Sequence, residues 1–232
     1  MSANKCLVAF AALFVAMALP VSAEFAVGAK VGTIGVGAQL AFGTDVFQGR
    51  LVAATFDYDD IEINTENVDY DGTAELTNFL TTLDWYPGGS GFRISVGLMF
   101  NDNRIVGRAS VRQLLIDALG FIPPEVNGLS LGTLEATAEG EDIAPYVGIG
   151  FGNPLGGRSQ WQLDVDLGVA YWGEPEVTLE LRDSDILDLV SLVPGGDQLI
   201  ADALEEERQN LEEEVEEYTW YPVVAVGLSY RF

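Results

Sequence analysis

The chain has 232 residues, of which 36 are acidic and 11 basic, so its formal net charge is −25, and it contains no histidine. This excess of negative charge excludes nucleic acid as a partner, because the phosphate backbone would be repelled. The single cysteine, Cys6, precedes the first apolar segment, so neither a disulfide nor a cysteine metal site is expected in the rest of the chain.

The first 23 residues have the pattern of a secretory signal peptide. Lys5 is followed by an apolar run from Leu7 to Leu19 and by the small residues before Glu24. The run is shorter than the roughly 20 residues that a membrane-spanning helix needs. The sequence therefore predicts cleavage after Ala23 and an exported mature chain of residues 24–232. Any membrane crossing in that chain would be made by strands.

Segments in which apolar and polar residues alternate with period two recur along the mature chain. They are 34–42, 47–58, 79–85, 92–101, 147–151, 161–172 and 220–232. In segment 161–172, Asp164 and Asp166 alternate with aliphatic and aromatic residues. Because carboxylates facing lipid would be very costly, the apolar face is predicted to meet a membrane and the polar face to line a lumen.

The number of strands leaves two interpretations open. Seven segments are evident, whereas single-chain bacterial barrels have an even number of strands. The apolar parity slips between Val31 and Ile34, so residues 25–31 are either a separate strand or part of one bulged strand. Residues 176–181 are another candidate for the missing strand, although they more simply extend the strand before them. The predicted fold is an all-β, antiparallel transmembrane β-barrel of about eight strands.

Short and long connections alternate between these segments. The short ones lie at 43–46, 87–91 and 153–159, and the long ones at 59–71, 102–142 and 173–219. In outer-membrane barrels the short turns are periplasmic and the long loops extracellular. Helical patterns at 111–119 and 184–218 predict a helical extracellular loop, which caps the barrel mouth or binds a partner. The acidic loops are candidate binding sites for divalent cations, but no specific metal site is predicted.

Inward-facing charges are predicted to converge near the periplasmic ends of the strands. They are Arg50, Asp84, Arg93, Asp164, Asp166 and Arg231. Such a cluster is either a structural plug or a charged constriction that selects small solutes. With about eight strands the interior is just filled by side chains, which favours the plug. Aromatic residues at strand ends predict the two membrane interfaces: Trp85, Phe92, Trp161, Tyr171, Trp220, Tyr230 and Phe232.

The segments Lys30–Gly35, Ala144–Gly150 and Trp220–Phe232 resemble those of a poorly characterised group of small outer-membrane proteins of Gram-negative bacteria. The general architecture is similar to OmpA-type and OmpW-type barrels. The terminal Phe232 resembles the signal that the barrel assembly machinery reads. The resemblance implies a place in the outer membrane, contact with its lipid and assembly by that machinery. It implies no catalytic residues.

An enzymatic function is not predicted, and neither is a cofactor. Outer-membrane barrel enzymes resemble one another in using a catalytic histidine, which this chain lacks. The sequence therefore predicts an outer-membrane barrel with a structural or surface-interaction role. Two alternatives remain: a narrow channel for small solutes, and a periplasmic β-protein that binds lipids.

Overall fold

The computed structural model describes residues 24–64, 69–110, 132–157, 159–182, 196–216 and 218–232. The predicted signal peptide and the helical patterns at 111–119 and 184–193 lie outside these residues. No helix in the described part of the chain is both long and apolar enough to cross a membrane.

Eleven strands and one α-helix occur in the described ranges. The strands are β1 (Glu24–Gly32), β2 (Gly35–Gly43), β3 (Phe47–Asn64), β4 (Asp69–Trp85), β5 (Phe92–Asn101), β6 (Arg104–Ser110), β7 (Thr133–Glu139), β8 (Ile143–Phe151), β9 (Trp161–Tyr171), β10 (Glu176–Arg182) and β11 (Trp220–Arg231). The helix, α1, spans Gly196–Glu216, within the segment predicted to be helical. A short 3-10 turn at Pro87–Gly89 connects β4 to β5.

Eight of the strands close into a ring. The order is β4-β3-β2-β1-β11-β9-β8-β5, and β5 pairs back with β4. Every pairing is antiparallel, and the first and last strands meet from Ala26 opposite Arg231 to Gly32 opposite Ala225. The prediction of an antiparallel barrel of about eight strands is confirmed.

The missing strand is β1. It joins β2 through a tight turn at Thr33 and Ile34, with Gly32 opposite Gly35. Gly35 has φ +110°, which side chains rarely adopt, and a Cβ there would lie 2.8 Å from the backbone of Thr55. The parity slip in the sequence is therefore a hairpin turn, and its interpretation as one bulged strand is wrong.

The segment Glu176–Arg182 is a strand, but it lies outside the ring. The lower part of β4 pairs with β5, whereas Asp71–Glu75 at its upper end pairs with β6. From there the sheet continues through β7 to β10, and α1 contacts β10. β3, β4, β6, β7 and β10 thus form a wall that extends the barrel on the side of the long loops. The interpretation of residues 176–181 as the eighth barrel strand is wrong.

The outer face of the ring is an apolar belt. Large exposed side chains include Val96, Leu98, Ile149, Leu163, Leu167, Val226 and Leu228. On β4 the outward residues change from Phe79 to Thr77 and then to Glu75, whose carboxylate pairs with Arg104 at 2.6 Å. Such a continuous apolar surface is unfavourable in water but matches the hydrocarbon of a membrane. The polar wall begins where the belt ends.

Candidate functional site: the closed lumen

The barrel interior is the part of the described structure where charged side chains converge. It has two layers. We call the end of the ring with the short turns periplasmic and the end with the long loops extracellular, after the predicted orientation. The charge layer, in the periplasmic half, consists of Lys30, Arg50, Asp84, Arg93, Asp164 and Asp166. The apolar layer, above it, consists of Ile34, Val52, Ala54, Leu80, Met99, Ala144, Tyr146, Ala170 and Val223. Both follow from strand parity, because these residues alternate with those of the outer belt.

Asp166 on β9 is the centre of the charge layer. Its carboxylate accepts hydrogen bonds from Lys30 on β1 and from Arg93 on β5. Arg50 on β3 adds a third partner, with its Nη1 atom 2.9 Å from both carboxylate oxygens. Three cations from three different strands therefore share one carboxylate, which is possible only because the lumen is narrow.

The other two carboxylates complete the pairing. The Oδ2 atom of Asp164 lies 2.8 Å from Nζ of Lys30, and its Oδ1 accepts a hydrogen bond of 2.6 Å from Nε2 of Gln39. The Oδ2 atom of Asp84 lies 3.0 Å from Nε of Arg50. Arg93 also donates from Nη1 to the backbone oxygen of Gly152 at 2.8 Å.

The charge layer is electrically balanced, with three cations and three carboxylates. All six side chains are nearly inaccessible, at no more than 5 % exposure. Charges in such a position are tolerated only when each has partners, since an isolated buried ion loses its hydration without compensation. The balance therefore makes each member depend on the others.

Five of the six predicted lumen charges lie in this layer, and Arg231 does not. It stands at the periplasmic rim, where its Nη1 donates to the backbone oxygen of Leu155 and lies 3.6 Å from Oε2 of Glu24. In the pairing of β9 with β11, Asp164 is opposite Gly227. Ser229 is therefore two residues nearer the rim than Asp164, and Arg231 is four residues nearer. The prediction that Arg231 belongs to the cluster of lumen charges is therefore wrong.

Lys30 is the member of the layer that the sequence analysis missed. It lies inward on β1, like Ala26, whereas Phe25, Val27 and Val31 face outward. The signal was present, because a cation on the opposite parity to three large apolar residues belongs in a lumen. It was obscured by the uncertainty over whether β1 was a strand.

The periplasmic end of the lumen is covered by the connection between β8 and β9. We call residues 152–157 and 159–160 the periplasmic strap. Leu155 in the strap is 2 % exposed and packs with Ala26 on β1 and Ala41 on β2. Since three strands separate β8 from β2 in either direction around the ring, the strap crosses the full width of the mouth.

Asn153 fastens the periplasmic strap to the other turns. Its Nδ2 donates to the backbone oxygens of Asp45, at 2.9 Å, and Ser90, at 3.2 Å. Its Oδ1 accepts from Nε2 of Gln48 at 2.6 Å and from the backbone nitrogen of Gly156 at 2.8 Å. One buried amide thus joins all three periplasmic turns below the charge layer.

The extracellular side of the apolar layer ends in an aromatic pair. The rings of Trp172 and Tyr221 are 5.5 Å apart and pack against the layer. The hydroxyl of Tyr221 donates to the backbone oxygen of Thr33 in the β1–β2 turn. Side chains thus occupy the described lumen from the strap to this pair.

The predicted interface aromatics lie on the outer face at the two ends of the barrel. Trp85, Phe92, Trp161, Tyr230 and Phe232 are at the periplasmic end, and Tyr171 and Trp220 at the extracellular end. Trp161 and Tyr230 form an edge-on pair at 5.1 Å, and so do Tyr171 and Trp220 at 5.0 Å. Their separation along β9 and β11 marks the height of the apolar belt.

The extracellular rim is acidic. Glu174 and Glu176 line two grooves there, one shared with Glu212 and Glu213 of α1 and the other with Glu139 of β7. Among the described residues, no group of three or more carboxylates is arranged to hold a metal ion.

Comparisons with solved structures agree with this architecture. The chain is similar to CarO2 of Acinetobacter baumannii, with a TM-score of 0.54 and 19% identity over 90% of this chain and 98% of that one. It is also similar to CarO of the same organism, with a TM-score of 0.54 and 22% identity over 89% and 97% of the two chains.

A major outer membrane protein of Thermus thermophilus aligns over 91% of this chain and 100% of its own, with a TM-score of 0.41 and 15% identity. No protein-family model matches the chain, and comparison with curated proteins gives no match either. At these identities the two Acinetobacter structures establish the fold alone. The chain therefore has the fold of a small outer-membrane β-barrel, with eight antiparallel strands in its ring.

Proposed function

We propose that this protein is an outer-membrane barrel that does not conduct solutes and acts as a structural or surface-interaction protein. The observation that carries the proposal is the charge layer, in which six buried and mutually paired groups lie across the lumen. A selective channel needs charges that face water and exchange partners with a passing ion. Here each cation is already bonded to a carboxylate of the chain.

The two ends of the lumen support the same proposal. The periplasmic strap lies across one mouth, held by Asn153 and Leu155, and the Trp172–Tyr221 pair lies at the other. A solute would have to displace the strap, the charge layer and the apolar layer in turn. Breaking buried ion pairs one partner at a time is strongly unfavourable.

Location in the outer membrane is part of the proposal. The exposed belt on the ring and the aromatic pairs at its ends match the hydrocarbon region and its interfaces. A periplasmic lipid-binding protein would need another molecule to cover the whole belt. Export by a cleaved signal peptide and assembly by the barrel machinery belong to the same proposal.

The position of the segments that lie outside the ring supports a role outside the cell. The wall of β6, β7 and β10 and the helix α1 all lie on the side of the long loops, and their surface is rich in carboxylates. This surface would meet lipid headgroups, cations or other macromolecules. Divalent cations are the proposed small partners of its acidic loops.

Solute uptake into proteoliposomes tests the proposal. Refolded protein in liposomes should give no swelling in isotonic solutions of small sugars or amino acids, whereas a general-diffusion porin incorporated at the same protein-to-lipid ratio gives rapid swelling. Swelling that depends on this protein and falls with increasing solute size would support the narrow channel instead.

A further inference from the structure

The upper part of β3 has an edge that no strand covers in the described part of the chain. β2 pairs with β3 only as far as Val36 opposite Thr55, whereas β3 continues beside β4 beyond that point. A register shift directly after Asp59 interrupts the ladder higher up. The regular section between these two points is residues 56–59, which we call the open β3 edge.

The backbone directions in the open β3 edge follow from Thr77 on β4. Thr77 lies opposite Thr55, and both of its backbone groups point away from β3. Its nitrogen donates to Oδ1 of Asn103 at 2.9 Å, and its carbonyl accepts from the backbone nitrogen of Asp102 at 2.9 Å. Opposed residues in an antiparallel ladder alternate between bonded and non-bonded pairs. Thr55 and every second residue after it therefore turn their backbone groups away from β4.

Asp57 and Asp59 are the residues in question. The N–H and C=O groups of both face the open side, and no backbone group of the described residues bonds to them there. A row of unpaired donors and acceptors is a template for another strand. A strand added here would stand above the end of β2, in line with it.

The side chains of the open β3 edge differ between its two faces. Phe56 and Tyr58 have the inward parity of β3, yet they are 46 % and 51 % exposed, since the ring ends below them. Asp57 and Asp59 are exposed on the outer face. Glu75, opposite Asp57 on β4, is already paired with Arg104 at 2.6 Å. The outer face of the edge therefore carries two carboxylates, and the inner face two aromatic rings.

This pattern determines which strand fits the edge. Like charges directly opposite each other destabilise a sheet, so Asp57 and Asp59 oppose the addition of a second copy of the same edge. An incoming strand instead needs cations beside the two carboxylates. The positions between the cations would lie beside Phe56 and Tyr58 and need apolar side chains.

We propose that the open β3 edge binds an extended cationic peptide, in which lysine or arginine alternates with apolar residues, by addition as a further strand. The inference rests on the surface-interaction role proposed above and names the chemistry of the partner. Main-chain bonds to Asp57 and Asp59 supply the pairing, and the side chains on the two faces select the sequence. The wall lies on the side of the long loops, so the peptide binds from outside the cell.

Peptide titration of the refolded, nitrogen-15-labelled protein in detergent tests the proposal by nuclear magnetic resonance. The probe is acetyl-Val-Lys-Val-Lys-Val-Lys-Val-amide. It should shift the backbone amides of Asp57 and Asp59 in a saturable way, whereas the same peptide with glutamate in place of lysine should not. Absence of binding at about 1 mM peptide, or saturable shifts confined to α1 and the acidic rim, would overturn the proposal.

A second peptide separates strand addition from simple attraction between charges. N-methylation of the three lysines keeps the charge and the composition but blocks the backbone groups that would pair with β3. The methylated peptide should not bind. If both cationic peptides bind equally well, the site is only an acidic surface and strand addition is refuted.

Variants of the exposed carboxylates locate the site. The Asp57→Asn and Asp59→Asn double variant should raise the Kd of the cationic peptide roughly tenfold, since two exposed ion pairs are lost. Asp142→Asn, at an exposed position on the same rim, should leave the Kd unchanged. Equal Kd values for the double variant and the wild type would overturn the proposal.

The liposome assay on the same preparation keeps this inference separate from the closed lumen. Peptide binding by a protein that also causes swelling would support the open β3 edge and refute the closed lumen. No binding by a protein that causes no swelling would overturn the open β3 edge alone.

Discussion

The ammonium group of Lys30 donates a hydrogen bond to the carboxylate of Asp166, although β11 lies between their strands in the ring. The contact passes over β11 on the inner face, where Gly227 lies opposite Lys30 and has no side chain, instead of following a strand pair. The same carboxylate also accepts hydrogen bonds from Arg50 and Arg93. The walls of the barrel are thus held together through its interior as well as through their ladders, and this arrangement leads to the predictions that follow.

Removal of one cation from the charge layer should be much more damaging than removal of a surface cation. Arg93→Ala leaves Asp166 with one partner fewer in a buried site, and breaking such a pair costs about 3–5 kcal/mol. Arg182→Ala on β10 removes an exposed ion pair to Glu135, which is worth roughly 0–1 kcal/mol. Urea unfolding of the two refolded variants measures the stability that each has lost relative to the wild type. Equal midpoints for the two variants would contradict the buried network.

Charge balance, rather than any single pair, should determine the stability of the layer. Lys30→Met leaves an excess carboxylate, and Asp164→Asn leaves an excess cation, so each should be destabilising. The double variant is balanced again, and it should be more stable than the sum of the single effects by about 1–3 kcal/mol. Asparagine retains an oxygen that can accept from Gln39. A double-mutant cycle measured by denaturant unfolding checks this, and simple additivity would be the contrary result.

The periplasmic strap should depend on Asn153. Asn153→Ala removes the partner of Gln48 and the donor to two turn carbonyls, and each buried polar group left without a partner costs about 1–3 kcal/mol. The variant should unfold at lower urea and expose the strap to added protease from the periplasmic side. Gln160→Ala, at an exposed position near the end of the same strap, should behave as wild type. If both variants resist protease equally, Asn153 does not hold the strap.

The helix α1 should become better ordered as the salt concentration rises. Its 21 residues contain nine carboxylates and a single cation, Arg208, so repulsion is unscreened at 0.01 M salt, where the Debye length is about 30 Å. Arg208 bonds to Glu205 at 2.7 Å and lowers the pKa of Glu205 to about 2. This pair therefore stabilises α1 at pH values above the ordinary pKa of glutamate. Its contribution is lost only as the pH falls through the lowered pKa. At neutral pH it is formed.

Trypsin cleavage at Arg208 in intact cells measures this order. Cleavage should be faster at 10 mM salt than at 0.5 M salt with calcium, after correction for the salt dependence of trypsin on an unstructured peptide. The barrel should remain intact in both conditions, because its strands are held by ladder hydrogen bonds in lipid. Equal corrected rates would show that cations do not order the helix.

Strand parity was sufficient to predict seven of the eight ring strands and most of the charge layer. Asp164 and Asp166 alternate with large apolar residues, and lipid allows only one orientation of such a strand. The same reasoning placed Arg50, Asp84 and Arg93 inside. It failed for Arg231 because parity determines which face a residue occupies but not its height, and the height depends on the register of β11 against β9.

The extracellular wall could not be predicted in the same way. β6, β7 and β10 pair across long separations in the sequence, and such pairings follow from tertiary register and not from local alternation. The periplasmic strap was also missed as a lumen element, since a short turn with Asn153 and Leu155 has the composition of an ordinary connection. Only the closed ring shows that Leu155 reaches β1 and β2.

Conductance in planar bilayers tests the central claim, a lumen closed by its own side chains, most directly. The refolded full-length protein, inserted in the bilayer at high potassium chloride, should give no discrete current steps. Arg93→Ala should also remain silent, because the periplasmic strap and the apolar layer still lie across the lumen. Reproducible unitary steps from the wild-type protein, with an amplitude that scales with salt concentration, would contradict the closed lumen and establish a channel.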